Sequence, residues 1–434
     1  MRVSYYSLGC KVNEYEALAI TNDFINHGYE LVGFDDVSDV CIINTCTVTA
    51  TADAKSRKII RQAIKKNPQA VIAVMGCFSQ LHADEVKKIP GVDVMIGTTN
   101  RHLLFSIVEE VRKTKQKQFI IDDLRHHYEY EEIKISRFIN KSRSFIKIED
   151  GCDNYCSYCT IPYARGHIRS RKSADIIAEI KDVTKLGIKE IVLTGINTGA
   201  YGQDLNQYDL TDLLEEIIKN VPKLGRIRIS SIEATEITPK LLKFIQEDSH
   251  HLCNHFHIPL QGGNDKILGL MNRKYQLSEY SKKIQALRSV KPLVNITTDV
   301  IVGFSGENHA DFQSAYQFIE QMEFGEMHVF PYSRRPNTKA YQFPNVVDET
   351  TKKNRVHELL TLNAKKALGY RQLFVGSIQE VIIEKVIQGI AFGHTANYLE
   401  VQFPTIFSKK HDFVKVQITE AGYPVSQAIE VKNV

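Results

Sequence analysis

Three short apolar runs mark the first quarter of the chain: Val3–Leu8, Val40–Asn44 and Ala70–Met75. Each is too short for a helix and is bounded by polar or turn residues, the pattern of a buried strand. Between them, Asn13–Asn26 and Asp53–Lys66 carry helical periodicity and end at His27-Gly28 and Asn67-Pro68, where glycine and proline stop helices. This alternation predicts βαβ units and a parallel sheet. Residues from about 116 to 140 are polar and charged and read as a linker. From Ser144–Glu149 onward, strand-like segments recur at Glu190–Leu193, Arg226–Ile229, His255–Ile258, Asn295–Val302 and Met327–Phe330. Helical stretches such as Ser173–Leu186 and Thr211–Asn220 separate them. Repeated βα units ending in polar, glycine-rich turns predict an α/β barrel with its chemistry at the strand C-termini. From about 371 the pattern changes again. Val381–Glu384, Tyr398–Gln402 and Phe413–Ile418 alternate or run β-branched between polar turns, which predicts a small antiparallel β-barrel of the OB-like kind. The expected organisation is therefore 1–115, a linker 116–140, 141–370 and 371–434.

Cysteines fall at telling places on this pattern. Leu8-Gly9-Cys10, Asn44-Thr45-Cys46 and Met75-Gly76-Cys77 each put a thiol just past the C-terminal end of a strand. Open parallel sheets bind ligands outside those ends, so three thiols far apart in sequence converge on one rim. Cys41 lies within a strand and reads as core, and Cys253 as structural. A second set, Cys152, Cys156 and Cys159, has the spacing C-x-x-x-C-x-x-C. Three thiolates this close can hold three corners of a [4Fe–4S] cube and leave one iron open. The same residues also suit a zinc site completed by His167, or buried free thiols, although zinc sites usually show paired C-x-x-C units.

Composition narrows the class. The chain has 434 residues, 43% hydrophobic and 24% charged, ordinary for a globular protein of about two to four domains. No apolar run approaches the length of a membrane span, and the N-terminal segment lacks the regions of a signal peptide. A cytoplasmic location is expected, where eight cysteines imply metal binding or catalysis rather than disulfides. The net charge of +4 does not by itself indicate nucleic acid. Local basic groups say more: Lys55, Arg57, Lys58, Arg61, Lys65 and Lys66 on one predicted helix, then Arg165, His167, Arg169, Arg171 and Lys172 after the second cysteine set, then Arg334 and Arg335. The first group also fits a solvated helix face. The second, beside the cysteine loop, is expected to contact an anionic substrate or cofactor.

The Cys152/Cys156/Cys159 spacing, with Tyr158 at the usual aromatic position, resembles the radical S-adenosylmethionine (SAM) superfamily. Leu8–Asn13, Asn44–Val48 and Met75–Cys77 are similar to the three N-terminal signature stretches of the methylthiotransferase family within it, and the likeness runs over essentially the whole chain. It implies a parallel-sheet N-terminal methylthiotransferase domain, an incomplete (β/α)6 radical SAM barrel and a C-terminal RNA-binding TRAM-like β-barrel; a packing role for the small barrel stays open. It also implies two [4Fe–4S] clusters. The one on Cys152, Cys156 and Cys159 would chelate SAM and generate a radical able to break an unreactive C–H bond. The auxiliary one on Cys10, Cys46 and Cys77 would serve sulfur and methylthio transfer. Tyr158, Thr194, Gly195, Ser231, Glu233, His257, Gln261, Asp299 and Gly303 are the expected cofactor-binding residues; His257 also reads as a structural histidine. Asn337–Ala340 departs from the family's usual loop, leaving its shape open.

Branches of the family differ after the first cysteine. Gly9-Cys-Lys-Val-Asn13, Thr194–Gly202 and Ser230–Ala234 resemble the branch acting on N6-threonylcarbamoyladenosine at position 37 of tRNA. The alternatives are the branch acting on isopentenyladenosine in tRNA and the one acting on a ribosomal-protein aspartate. The implied partners are tRNA and an electron donor such as flavodoxin or ferredoxin, with no membrane; the sulfur donor is unassigned. A threonylcarbamoyl group carries a carboxylate, which an arginine is expected to recognise; Arg165 and Arg335 are the two candidates.

Overall fold

The computed structural model describes residues 1–126, 128–135, 142–247 and 250–431. The N-terminal sheet is parallel throughout, in the order Glu30–Leu31, Arg2–Ser7, Val40–Thr45, Val71–Gly76, Val94–Ile96, Gln118–Ile120. Its central strands are buried on both faces. Val40, Ile42, Ala73 and Met75 pack on one side with Ile20, Phe24 and Val108. Cys41, Ile43, Ile72 and Val74 pack on the other with Ile59, Ile60 and Ala63. Double burial explains why these strands read as continuous apolar runs, and Cys41 is core as expected. The order reverses between Arg2–Ser7 and Val40–Thr45. Such a switch point opens a crevice at the strand carboxyl ends, and the loops carrying Cys10 and Cys46 leave the sheet there.

Gln118–Ile120 lies in the stretch read as linker, yet it forms the sixth strand. Further along that stretch, Ile133 and Ile135 pack on Tyr15 and Leu18. Residues 136–140 of the expected linker lie outside the described residues.

Six parallel strands follow in sequence order: Ser144–Lys147, Glu190–Thr194, Arg226–Ile229, His255–His257, Asn295–Val302 and Glu326–Pro331. The two three-stranded halves join at Ile227, whose N–H donates to His251 O at 2.6 Å while its carbonyl accepts from Cys253 N at 2.9 Å. Among the described residues the first and last strands do not pair, so this is the incomplete (β/α)6 barrel. The N-terminal domain covers the open side. Its helix Lys11–Asn26 packs on Ser144–Lys147, and Ala50 N donates to Ser333 Oγ at 3.1 Å beyond the last strand.

This contact is built on buried charge. Arg165 donates to Glu16 and Asp150, both at 2.8 Å, and to Asn13 Oδ1 at 2.6 Å. Lys147 Nζ lies 2.7 Å from both Glu16 and Asp150, and Arg101 pairs with Glu16. Burial works against the charge on Glu16, but Arg101, Arg165 and Lys147 outweigh it and hold its carboxyl well below the usual range. Arg171 pairs likewise with Glu179 and Glu132. The basic group after the second cysteine set is thus largely structural: Arg165, Arg169 and Arg171 are buried, in place of the anion contacts expected from sequence.

The C-terminal strands form a closed five-stranded barrel, Ile378–Ile387, Ile390–Thr395, Glu400–Pro404, Val425–Glu430, Phe413–Glu420. It differs from the expected antiparallel barrel in one respect: Glu400–Pro404 and Val425–Glu430 run parallel. The helix Glu349–Gln372 leads into it across the boundary expected near 370. The small barrel seats on the N-terminal end of the large one. Glu190 accepts from Arg226 Nε at 2.7 Å and Arg228 Nε at 2.9 Å. The outer nitrogens of those arginines donate to the carbonyls of Glu380, His394, Thr395 and Ala396. Tyr398 lies 4.7 Å from both Arg228 and the His255 ring. A turn of the small barrel therefore forms the floor of the large one. Among the described residues no helix is long and apolar enough to cross a membrane.

Candidate active site

Cys10 is the N-cap of Lys11–Asn26, Cys46 follows Val40–Thr45, and Cys77 opens the short helix Cys77–Leu81. The three thiols sense one another electrostatically, so the rim expected from strand ends does bring them together. Asn13 ties the loops: its Nδ2 donates to Leu8 O at 2.7 Å and Thr45 O at 3.0 Å. Gly9 has φ +100°, and a Cβ there would lie 2.9 Å from Cys46 Sγ; glycine is what lets the first loop approach the second thiol. Arg165 Nε donates to Cys77 Sγ at 3.3 Å. Burial pushes the Cys77 thiol up to about 12, with Arg165 pulling the other way.

The other loop leaves Glu149–Asp150 through Gly151, at φ +86°. A Cβ on Gly151 would sit 1.9 Å from the His167 carbonyl oxygen, so Gly151→Ala is expected to displace the loop and cut reconstituted iron toward half of the parent's, measured as iron per chain. Cys159 Sγ accepts from Ile161 N at 3.4 Å and Cys156 Sγ from Arg273 Nη1 at 3.2 Å. Burial pushes the Cys159 thiol up to about 12, with the Ile161 N–H pulling the other way.

All three of these cysteines line a cavity of about 390 Å³ at the strand C-termini. Tyr158, Ser231, Glu233, Gln261 and Asp299 line it too. Val48 and Thr49, just beyond Cys46, complete the wall from the N-terminal domain. Four of the expected cofactor residues stand behind this wall. Thr194 is buried. A Cβ on Gly195 would lie 2.1 Å from Glu149 Oε1, and one on Gly303 2.4 Å from the Lys352 side chain; packing inside the protein explains both glycines. His257 donates or accepts at Thr297 Oγ1, 3.0 Å away, and lies 3.4 Å from Asp299, with His328 on the other side of Asp299 at 3.1 Å.

Neither arginine expected to meet a carboxylate is free to do so. Arg165 is spent on Glu16 and Asp150, and Arg335 is buried against Thr47 and Asp53. The sequence reading missed Arg273, which lines the cavity, pairs with Glu233 and touches Cys156, 117 residues away. No spacing signal marks it. It also missed Asn154 and Tyr332 of the wall, whereas Asn197 of the wall ends a strand-end stretch read as carrying cofactor groups. Lys11 entered the sequence reading only as part of the branch-distinguishing stretch Gly9–Asn13, without a site role; its Nζ donates to Ser230 Oγ at 3.2 Å.

Each set supplies three soft sulfur donors. The remaining cysteines, Cys41 and Cys253, are buried in strand and core positions. This donor chemistry fits a [4Fe–4S] cluster with one open iron in each place. The mixed wall, polar at Asn197, Ser231, Glu233 and Gln261 and apolar at Ile196, Ile301 and Phe330, fits a zwitterionic nucleoside such as SAM.

Comparison with known proteins agrees with this geometry. Residues 2–97 match the model of the uncharacterized protein family UPF0004 and residues 146–319 that of the radical SAM superfamily. The chain is 40% identical over 437 residues to the threonylcarbamoyladenosine tRNA methylthiotransferase MtaB of Bacillus subtilis, covering 100% of this chain and 97% of that protein. It is 37% identical to the corresponding Aquifex aeolicus protein, over 89% and 93%. It is 33% identical to the tRNA-2-methylthio-N(6)-dimethylallyladenosine synthase of Desulfitobacterium hafniense, over 97% and 95%. In fold, it resembles the radical SAM methyltransferase TsrM of Kitasatospora setae, solved with cobalamin and a [4Fe–4S] cluster: TM-score 0.57, 13% identity, covering 90% and 80%.

Proposed function

The chain belongs to the radical SAM methylthiotransferase family, and we propose on that premise that it adds a methylthio group to C2 of N6-threonylcarbamoyladenosine in tRNA. One observation carries the reading beyond family membership: loops from both cysteine sets border a single cavity, with Val48 and Thr49 facing Cys152, Cys156 and Cys159 across it. Relatives named for this substrate are 34–40% identical, against 32–33% for those named for the dimethylallyl product.

Cys152, Cys156 and Cys159 would hold the cluster that works with SAM, and Cys10, Cys46 and Cys77 the auxiliary one. Bound there, the two clusters and SAM supply hydrogen abstraction from an unactivated C–H bond and delivery of methylated sulfur, chemistry that no acid or base at neutral pH provides.

The protein's own residues position and shield. Arg273 and the Ile161 N–H stabilise sulfur charge in the second loop, and Arg165 does so at Cys77. Glu233, fixed by Arg273, together with Ser231, Gln261 and Asn197, supplies the polar contacts for SAM, while Ile301, Phe330 and Tyr332 exclude water. The exposed Lys55, Lys58, Arg61, Lys65 and Lys66 run along the helix Ala50–Lys66, which starts at the cavity edge. They offer a path for RNA phosphates, whose binding would weaken with salt. A cytoplasmic setting and an electron donor such as flavodoxin or ferredoxin belong to the same reading.

The test is mass spectrometry of tRNA nucleosides from a deletion strain and its complemented partner. Loss and recovery of the methylthio form of threonylcarbamoyladenosine is the expected result. An unchanged level of that nucleoside would sink the substrate assignment.

A further inference from the structure

Lys11 is placed differently from the arginines and lysines named below. It follows Cys10 on the domain that covers the barrel's open side, and it reaches across the lumen to Ser230 on the third strand's end, Nζ to Oγ 3.2 Å. His255 and His328, on two further strands, both feel its charge. The ammonium therefore sits inside the barrel, next to the cavity that Ser231 and Asp299 line.

The neighbouring cations are committed to carboxylates. Arg226 and Arg228 hold Glu190, and Arg143 holds Glu384. Arg273 holds Glu233, and Arg335 holds Asp53. Arg165 and Lys147 hold Glu16 and Asp150. Arg334 is exposed and lies over the Tyr341 ring at 4.7 Å. Among the described residues Lys11 has no carboxylate within ion-pair distance, and a hydroxyl is its hydrogen-bond partner. Burial, then Arg143 and Arg228, weigh against this ammonium, and Glu190, beyond ion-pair distance, only partly offsets them; an anion brought from outside would relieve that cost.

We propose that Lys11 recognises the carboxylate of the threonylcarbamoyl group, with Ser230 holding the ammonium in place. The inference rests on the substrate reading above. Positions 2 and 6 of adenine belong to one six-membered ring. A base that presents C2 between the two cysteine sets therefore carries its N6 substituent into the same enclosure. There a charge-assisted hydrogen bond from Nζ distinguishes a carboxylate from an isopentenyl tail.

The test uses the full-length protein with both clusters in place. Three anticodon stem–loop RNAs differ only at the modified adenosine: threonylcarbamoyl, the same group with its carboxylate reduced to a carbinol, and isopentenyl. Equilibrium affinity and methylthio product are both measured. The parent is expected to bind the carboxylate RNA about 10- to 100-fold more tightly than the carbinol RNA. Lys11→Met should bring that ratio close to one, and Lys11→Arg should restore part of it. Lys11→Gln serves as a second neutral variant, with melting temperature as the check on folding. Neutral variants that keep the parent's preference would overturn the role of Lys11 while leaving the substrate reading standing, as would a parent that converts the carboxylate RNA but binds both forms equally. A parent that makes no methylthio product from the threonylcarbamoyl RNA overturns the substrate reading, and the Lys11 assignment falls with it.

Discussion

Replacing Cys10, Cys46 and Cys77 together with alanine is expected to leave about half the iron of the parent and no methylthio product. The expectation follows from the separation of the two cysteine sets. The first is mounted on three strand ends of the N-terminal sheet, the second on one loop of the barrel, and no cysteine is shared between them. The sheet's core, Val3, Ile42, Ala73 and Val94 among others, lies away from the rim, so the fold should survive the substitution. The converse triple variant, at Cys152, Cys156 and Cys159, should also lose about half the iron and lose all cleavage of SAM. Iron analysis with product assay on both variants checks the assignment. Full iron in either one would show that the corresponding thiols hold no cluster.

Arg165→Met is expected to be the most damaging substitution outside the cysteines. The guanidinium is buried and meets Glu16, Asp150, Asn13 and Cys77. Removing it leaves two buried carboxylates with fewer cations and the Asn13 clasp without its anchor. Breaking a buried ion pair by deleting one partner costs about 3–5 kcal/mol, and here the loss falls where two domains meet. A fall in melting temperature, together with exposure of the Cys77 thiol to alkylation in the cluster-free protein, is the measurement. Arg165→Lys should recover only part of the stability, because a lysine cannot span the forked contacts. A variant as stable as the parent would show that the charge network does not hold the domains together.

The sequence was most legible where chemistry coincides with backbone pattern. Val40–Thr45 and Val71–Gly76 are buried on both faces and so stand out as apolar runs, and their cysteines mark the strand ends. Arg226–Ile229 was located by its isoleucines, but its arginines gave no hint that they face inward onto Glu190. Alternation reports which residues share a face, while burial of a charged face depends on partners elsewhere in the chain. The same holds for Arg165, which reads as a loop cation and is in fact an interior brace whose partner Glu16 lies 149 positions away. Gly195 and Gly303 were expected among the cofactor-binding residues; the space a side chain would fill at each is taken by Glu149 and Lys352. Gln118–Ile120 was hidden because three half-buried edge residues carry little periodicity.

Because Arg226 and Arg228, held by Glu190, donate to backbone carbonyls of the C-terminal barrel, that barrel is not an appendage that can be traded freely. A chimera that borrows a relative's C-terminal barrel also imports a new base plate for the reaction chamber. It inherits the risk of stranding two arginines that were shaped to another turn. The practical unit of exchange is the small barrel together with the Glu190–Arg226–Arg228 triad, and truncations meant to remove RNA affinity alone should be judged by whether the chamber above still holds its clusters.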